Sequence, residues 1–366
     1  MRVTEPYTIF ARKLPSGKTV YYYQVRNESG LRCVPKSTGC STLPQARRFC
    51  QKLYNDGLFD TDSARLFKTF ASDFFDKHKE FYKWKVANLQ PITDSTLQSY
   101  VRLLNNQLMP FFADMPLCRI TTAKVKDWII WCTSNWSAKT TNNAQSVLNI
   151  ILKSAYEKGL ISKVPSLHIA FRKTTKKNRE LLSVEEISRI YHSPLWYEEK
   201  DRQAFLLIAI TGMREGECVG LQPCDIADSY LEVKHSYHPK FELGSTKTKV
   251  CRFIPIPNSA DLKRVSGKKW VFERNSKPIP AHTLYMTFRK ILDSLGIDRV
   301  GRGLTIHSLR NFYNSYLRSK NVPDSKIKAV IGHKDEDMTD WYTYWKPEMF
   351  PEVYQVQKEL YEKIVR

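Results

Sequence analysis

The spacing of hydrophobic positions changes period twice along the chain. Between residues 7 and 36, YTIFARKL, TVYYYQVR and LRCVPK interleave β-branched and aromatic positions with polar ones, and the turns PSGK and NESG separate them. Short runs of this kind broken by Gly-containing turns predict a three-stranded sheet. A helix is expected next over roughly 43–55, opened by Ser41, Thr42 and Pro44 and closed by Asn55-Asp56-Gly57. From 65 to 165 the period lengthens to that of a helix. Phe67, Phe70, Phe74 and Phe81 mark one face of LFKTFASDFFDKHKEFYKWKV, and SYVRLLNNQLMPFF, TAKVKDWIIWCTSNW and TTNNAQSVLNIILKSAYEKGLI supply three more amphipathic stretches. Four helices packed as a bundle are the expectation, with Gly57–Ala64 as the linker before them and Pro165 as the stop.

Lys173–Arg179 is a polar, basic connector, and LLSVEEISRIY opens a new domain with Ser183 and Glu186 in capping-box spacing. Strand-like YLEVKH and KVCRFIPIP follow around a turn, and helices run from there to the end. VYQVQKELYEKIV, after Pro351, repeats apolar residues at Val353, Val356 and Leu360, an amphipathic helix that can pack on its own domain. No internal repeat or low-complexity tract interrupts the pattern. The chain therefore reads as multidomain and mainly α with small β elements, divided at 1–60, 65–168 and 175–366.

Composition narrows the partner. The chain holds 366 residues with 58 Lys+Arg against 37 Asp+Glu, a formal net charge of +21. The excess is not confined to a tail: basic residues outnumber acidic ones 10 to 4 in 1–60, 14 to 8 in 61–170 and 34 to 25 in 171–366. A long polyanion touching every segment fits that distribution, and nucleic acid is one. The basic residues Arg12, Lys13, Lys18, Arg26 and Arg32 on the N-terminal sheet form either a nucleic-acid face or a solvated surface. Eight cysteines show no C-x-x-C pairing, which leaves zinc and thioredoxin-like chemistry without support. MRVTEPYTIF has no apolar core of a secretory leader, and AFLLIAI at 204–210 is too short to span a bilayer. A cytoplasmic protein with reduced thiols is expected.

Four groups in the last segment carry chemistry. TGMREGECVGL sets Glu217 three residues after Arg214, on the same helical face. LGSTKTKVCRFIPIP puts Lys247 and Lys249 near a hairpin, IHSLRNF puts His307 and Arg310 on one helical face, and IGHK supplies Gly332-His333. Each alone is commonplace: an Arg-x-x-Glu is usually a surface salt bridge, and lysines on turns are usually solvated. In order they read Arg, Lys, His-x-x-Arg, Gly-His, then Tyr342 nine residues after His333. That order and spacing resembles the tyrosine recombinases of the phage-integrase family. TGMREGE resembles the family's first arginine box, and LTIHSLRNFYNSYLRSKNVPDSKIKAVIGHKDEDMTDWYTY resembles the second almost end to end. The helical segment resembles a core-binding domain and the N-terminal sheet an arm-type DNA-binding domain, so the resemblance covers nearly the whole chain.

The resemblance implies a DNA strand-cleaving and strand-rejoining enzyme that passes through a 3′-phosphotyrosine. Arg214 and Arg310 would clamp the non-bridging oxygens of a phosphodiester, with His333 donating a further bond. His307 would accept the nucleophile's proton or orient its neighbours, the hairpin lysine would protonate the leaving 5′ oxygen, and Glu217 would hold Arg214. In the family the lysine lies eight residues before a strand-ending proline; Lys247 and Pro255 have that spacing, which favours Lys247 over Lys249. Tyr342 has the family spacing from His333, whereas Tyr344 lies eleven residues after it and two residues from Tyr342, on another helical face. Neither metal nor ATP is implied, and no cofactor is expected. Double-stranded DNA at core and arm sites, a homotetramer on that DNA, a DNA-bending host factor and an excisionase are the implied partners, and no membrane. The resemblance also lets the C-terminal helix dock on a neighbouring protomer. Lys334 departs from the small residue the family more often carries after Gly-His. Of the four carboxylates Asp335, Glu336, Asp337 and Asp340, the first three are expected to precede or begin a short helix carrying Tyr342, where they suit the positive end of its dipole. A type IB topoisomerase or a non-catalytic DNA-binding regulator are the rival functions. The three-part layout argues against the first, and the intact set of six residues argues against the second.

Overall fold

The computed structural model describes residues 7–26, 30, 32–55, 59, 65–174, 180–246, 251–332 and 345–366. Its contacts gather into two compact units, residues 1–175 and 176–366. The fold is multidomain and mainly helical, with small sheets.

In the first unit, β1 (Tyr7–Lys13) and β2 (Thr19–Val25) pair antiparallel from Tyr7↔Val25 to Lys13↔Thr19. The third strand, β3 (Lys36–Ser37), is only two residues long and lies later than the alternation of LRCVPK suggests. Helix α1 (Leu43–Asn55) covers the sheet, and Tyr7, Tyr23, Val25, Cys33 and Cys50 form a small separate core. The expected linker falls almost wholly outside the described residues. A second, larger core is built from α2 (Phe67–Ala71), α3 (Glu80–Ala87), α4 (Asp94–Leu103), α5 (Met109–Phe112), α6 (Thr122–Thr133) and α7 (Ala138–Glu157).

Two of these helices depart from the four stretches expected. The first stretch leaves the helix after Ala71 for tighter turns, Phe74 N donating to Ala71 O at 3.2 Å and Asp76 N to Asp73 O at 3.0 Å. Asp76 Oδ1 then accepts from the backbone N–H of His78 at 2.7 Å. Phe70, Phe74 and Phe75 stay buried across the break. The second stretch passes from α4 through a π turn at Leu104–Leu108 into α5. Pro110 cannot donate in a regular ladder, and Trp128 Nε1 donates to the Gln107 backbone carbonyl at 2.9 Å in the wider turn.

The second unit opens with α8 (Val184–Tyr191), whose capping box is present in both directions: Glu186 N donates to Ser183 Oγ and Ser183 N to Glu186 Oε2. Helix α9 (Glu199–Thr211) contains the AFLLIAI run and is buried on every side, as a helix apolar all round must be. Short α10 (Glu215–Val219) follows. Strand β4 (Tyr230–Val233) pairs antiparallel with β7 (Arg252–Pro255), and between them lies a second hairpin, β5 (His235–His238) with β6 (Glu242–Ser245), that the sequence pattern did not resolve. Then come α11 (Ser259–Val265), the small pair β8 (Glu273–Arg274) and β9 (Lys277–Pro278), α12 (Ala281–Ser294), α13 (His307–Ser319), α14 (Asp324–Ile331) and α15 (Pro351–Val365).

The C-terminal helix packs on its own unit. It buries Val353, Val356, Leu360 and Ile364 in the main core, and Gln357 Nε2 donates to Tyr313 Oη at 2.8 Å. Lys326–Glu352 at 2.6 Å and Lys320–Glu359 at 3.1 Å tie it to α14 and to the end of α13.

Candidate active site

The site is assembled from three chain reversals. Helix α9 stops at Gly212, which takes the left-handed conformation (φ +62°) that closes a helix. No other residue fits there, since a Cβ would lie 2.5 Å from the Tyr313 ring. Two residues on, Arg214 is the N-cap of α10, and Glu217 accepts from its backbone N at 2.9 Å and from its Nη1 at 2.7 Å. The Arg214–Glu217 pair read from the sequence is therefore real, but Glu217 is buried, not a surface partner.

Helix α13 carries His307 and Arg310 on its first turn and brings Arg310 to the same place. The His307 side chain is exposed. Arg310 is 4% exposed, and its Nη1 donates to the Gly212 carbonyl at 2.8 Å. Its Nη2 is buried with no hydrogen-bond partner among the described residues. Helix α14 ends at Gly332, again left-handed (φ +74°), and Arg214 Nη2 approaches the Gly332 carbonyl at 3.4 Å.

One member of the cluster was not singled out in the sequence. Arg252 on β7 is 7% exposed, forks onto Glu217 (Nη2 to Oε2 2.6 Å, Nη1 to Oε1 3.3 Å) and donates from Nε to Val330 O at 2.9 Å. The signal was available: Arg252, Ile254 and Ile256 alternate onto one face of RFIPIP, and both isoleucines are fully buried.

Three guanidiniums thus surround one carboxylate. Burial raises the Glu217 pKa, but Arg252 and Arg214 more than offset it and hold the carboxyl below its ordinary value. Burial, joined by repulsion from Arg214 and Arg252 and opposed by Glu217, lowers Arg310 to about 10. Glu215 beside them is raised by burial. A cluster with surplus positive charge and an unused, buried N–H is suited to an oxyanion.

Two glycines seat the neighbouring hairpin. A Cβ on Gly216 would meet Ser236 Oγ at 2.6 Å and Tyr237 O at 3.0 Å, and one on Gly220 would meet Tyr237 N at 2.9 Å. Helix α10 therefore rests directly on the β5 backbone. The strands β5–β6 lead through Thr246 toward Lys247.

Lys247, Lys249, His333, Lys334, Asp335, Glu336, Asp337, Asp340, Tyr342 and Tyr344 lie outside the described residues, as does the helix expected to carry Tyr342. Among the described residues no group of His, Cys, Asp and Glu is arranged to hold a metal ion, and no helix is long and apolar enough to cross a membrane. In the first unit Arg12, Lys13, Lys18, Arg26 and Arg32 are all exposed. Arg12 sits 5.6 Å over the Tyr22 ring, which stacks on Phe10 at 6.2 Å, and Arg26 Nη1 donates to Gly30 O at 2.7 Å.

Residues 180–348 match the phage integrase family. Among curated relatives, the chain is 23% identical over 198 residues to tyrosine recombinase XerD of Halalkalibacterium halodurans, covering 52% of this chain and 65% of that one, just under two thirds of its length. It is 22% identical over 283 residues to XerD of Oceanobacillus iheyensis, covering 72% and 92%. Its fold resembles a lambda integrase dimer bound to a COC′ core site (TM-score 0.57, 20% identity, 94% of this chain and 98% of that one). A lambda integrase tetramer bound to a Holliday junction is similar too (TM-score 0.55, 20% identity, 95% and 100%). Residues 180–348 are thus similar to the phage integrase family, and the chain as a whole shares the fold of the solved integrases.

Proposed function

We propose that the protein is a site-specific DNA recombinase that integrates or excises a phage or other mobile element through a covalent 3′-phosphotyrosine. The observation that carries this reading is the buried Arg310 Nη2, without a hydrogen-bond partner among the described residues and beside the half-buried Arg214. Arg214 and Arg310 bind the non-bridging oxygens of the scissile phosphate, and charge building on those oxygens in the transition state strengthens both contacts. The Tyr342 hydroxyl attacks phosphorus; the new P–O bond to tyrosine forms as the P–O5′ bond breaks. Its proton passes toward His307, Lys247 protonates the departing 5′ oxygen, and His333 donates to the phosphate. The phosphodiester is exchanged and not hydrolysed, so rejoining needs no ATP.

The related lambda integrase has been solved as a dimer on a core site and as a tetramer on a Holliday junction. By analogy this chain works as a homotetramer on double-stranded DNA in the cytoplasm of a bacterial host. The helical part of the first unit binds core sites and the N-terminal sheet, through Arg12, Lys13, Lys18, Arg26 and Arg32, binds arm sites. A DNA-bending factor and an excisionase set direction.

The test uses DNA from the ends of the element encoding the protein, nicked near the crossover so that cleavage is trapped. A denaturant-resistant adduct mapped to Tyr342 by mass spectrometry, and lost in Tyr342→Phe, is the expected result. An adduct at Tyr344 would reassign the nucleophile. Intact binding with no adduct would replace the recombinase reading with that of a DNA-binding regulator.

A further inference from the structure

Arg252 has no place in the reaction just described, yet it is the most completely bonded cation of the cluster. Its planar fork engages both oxygens of Glu217, and its remaining N–H caps the carbonyl of Val330 in the last turn of α14. Its surroundings leave it no room to drift: a Cβ on Gly332 would come within 3.1 Å of its Cδ, Nε and Cζ. All three of its guanidinium nitrogens are engaged by Glu217 and Val330, whereas Arg310 Nη2 has no partner among the described residues and Arg214 is more exposed. Three chain segments meet at this one guanidinium. Glu217 holds Arg214, β7 bears Arg252 itself, and α14 ends at Gly332, whose carbonyl Arg214 Nη2 approaches.

We propose that Arg252 is a positioning residue for strand cleavage, holding the Arg214–Glu217 pair and the end of α14 in one register without touching DNA. A lysine there would keep the charge but cannot satisfy two carboxylate oxygens and a carbonyl in one plane. The proposal deepens the recombinase reading and rests on it.

The experiment measures single-turnover cleavage of nicked core-site DNA by the full chain, wild type and Arg252→Lys, with melting temperature and core-site affinity alongside. Arg252→Lys is expected to bind DNA as the wild type does and to cleave about 100-fold more slowly, the scale of a misplaced clamp. Against a scissile methylphosphonate, which carries no charge for the clamp to hold, the deficit should shrink to about tenfold or less. In combination with Glu217→Gln the two losses should not multiply, since both act through one contact.

Cleavage by Arg252→Lys within about threefold of wild type would overturn the assignment while leaving the recombinase reading intact. Equal slowing on phosphate and methylphosphonate would overturn it in favour of a purely structural role. If Arg252→Lys does not fold, Glu217→Asp shortens the same fork from the other side and must show the same phosphate-specific deficit, or the assignment falls. No adduct from the wild type would remove the recombinase reading and this assignment with it.

Discussion

Charge is handled in opposite ways in the two units. In the helical part of the first, ion pairs such as Lys68–Asp114, Lys77–Asp94 and Lys124–Asp127 join side chains that are about half exposed or more. The core beneath is apolar, built on Trp128, Phe67, Phe112 and Leu148. In the second unit Glu217, Arg252 and Arg310 are buried together, and Arg310 keeps a donor unused. Water screens the first set, so it contributes little to stability and could be rearranged without consequence. The second set carries a large desolvation cost that a merely stable fold would avoid. Where a fold tolerates an incompletely paired buried cation, a ligand of opposite charge is the economical explanation.

The sharpest way to break that contrast is Arg310→Met. It should lower cleavage by about 10³-fold, the scale of losing a preorganised donor to transition-state charge, while the melting temperature holds or rises because a buried cation is gone. Equal loss of both would mean that Arg310 is structural. Next in size is Glu217→Gln, which leaves two buried guanidiniums without their counter-charge and should cost about 3 kcal/mol in chemical unfolding at neutral pH.

The same variant gives a pH test. Glu217 titrates lower in the folded chain than its ordinary 4.5. Its contribution is therefore present above that value and is lost as pH falls through the lower, folded one. The stability gap between wild type and Glu217→Gln should narrow below about pH 4.5, and a constant gap would contradict the ion-pair account.

Gly212→Ala is smaller in effect, about 2 kcal/mol, from the left-handed backbone and the contact with the Tyr313 ring. Its cleavage rate should fall as well, because the Arg310 Nη1 acceptor moves. At the far end, Lys68→Ala in the first unit should leave the melting temperature unchanged within error.

Much of this contrast could be read before any coordinates. The capping box at Ser183 and Glu186, the all-apolar run of α9 and the Arg214–Glu217 spacing depend on neighbours in sequence, and each has its expected local form. Bringing Arg310 to within hydrogen-bond reach of Gly212, 98 residues away, is a tertiary event for which periodicity holds no information. Arg252 is the instructive omission. A charged residue on the buried face of a strand is a visible anomaly, but only when the strand's alternation is followed through Ile254 and Ile256. The β5–β6 hairpin escaped because His238, Pro239 and Lys240 read as loop, although Glu242 accepts the positive φ that turns the chain there. In the helical unit, the break after Ala71 was hidden beneath an aromatic spacing that survives it.

The glycine seat beneath that hairpin bears on retargeting. With glycine at both contact points, α10 packs closely on Ser236 and Tyr237 at the base of the hairpin, whereas His238, Pro239 and Lys240 at its tip are exposed. Loop grafts or randomised residues belong at Pro239 and Lys240, between the His238 and Phe241 rings, whose centroids lie 4.9 Å apart. Any bulk added at 216 or 220 would instead pry the hairpin from the helix that Arg214 caps. The molecule thus separates a replaceable tip from a mount that must be kept, which tells a designer where a library can be built.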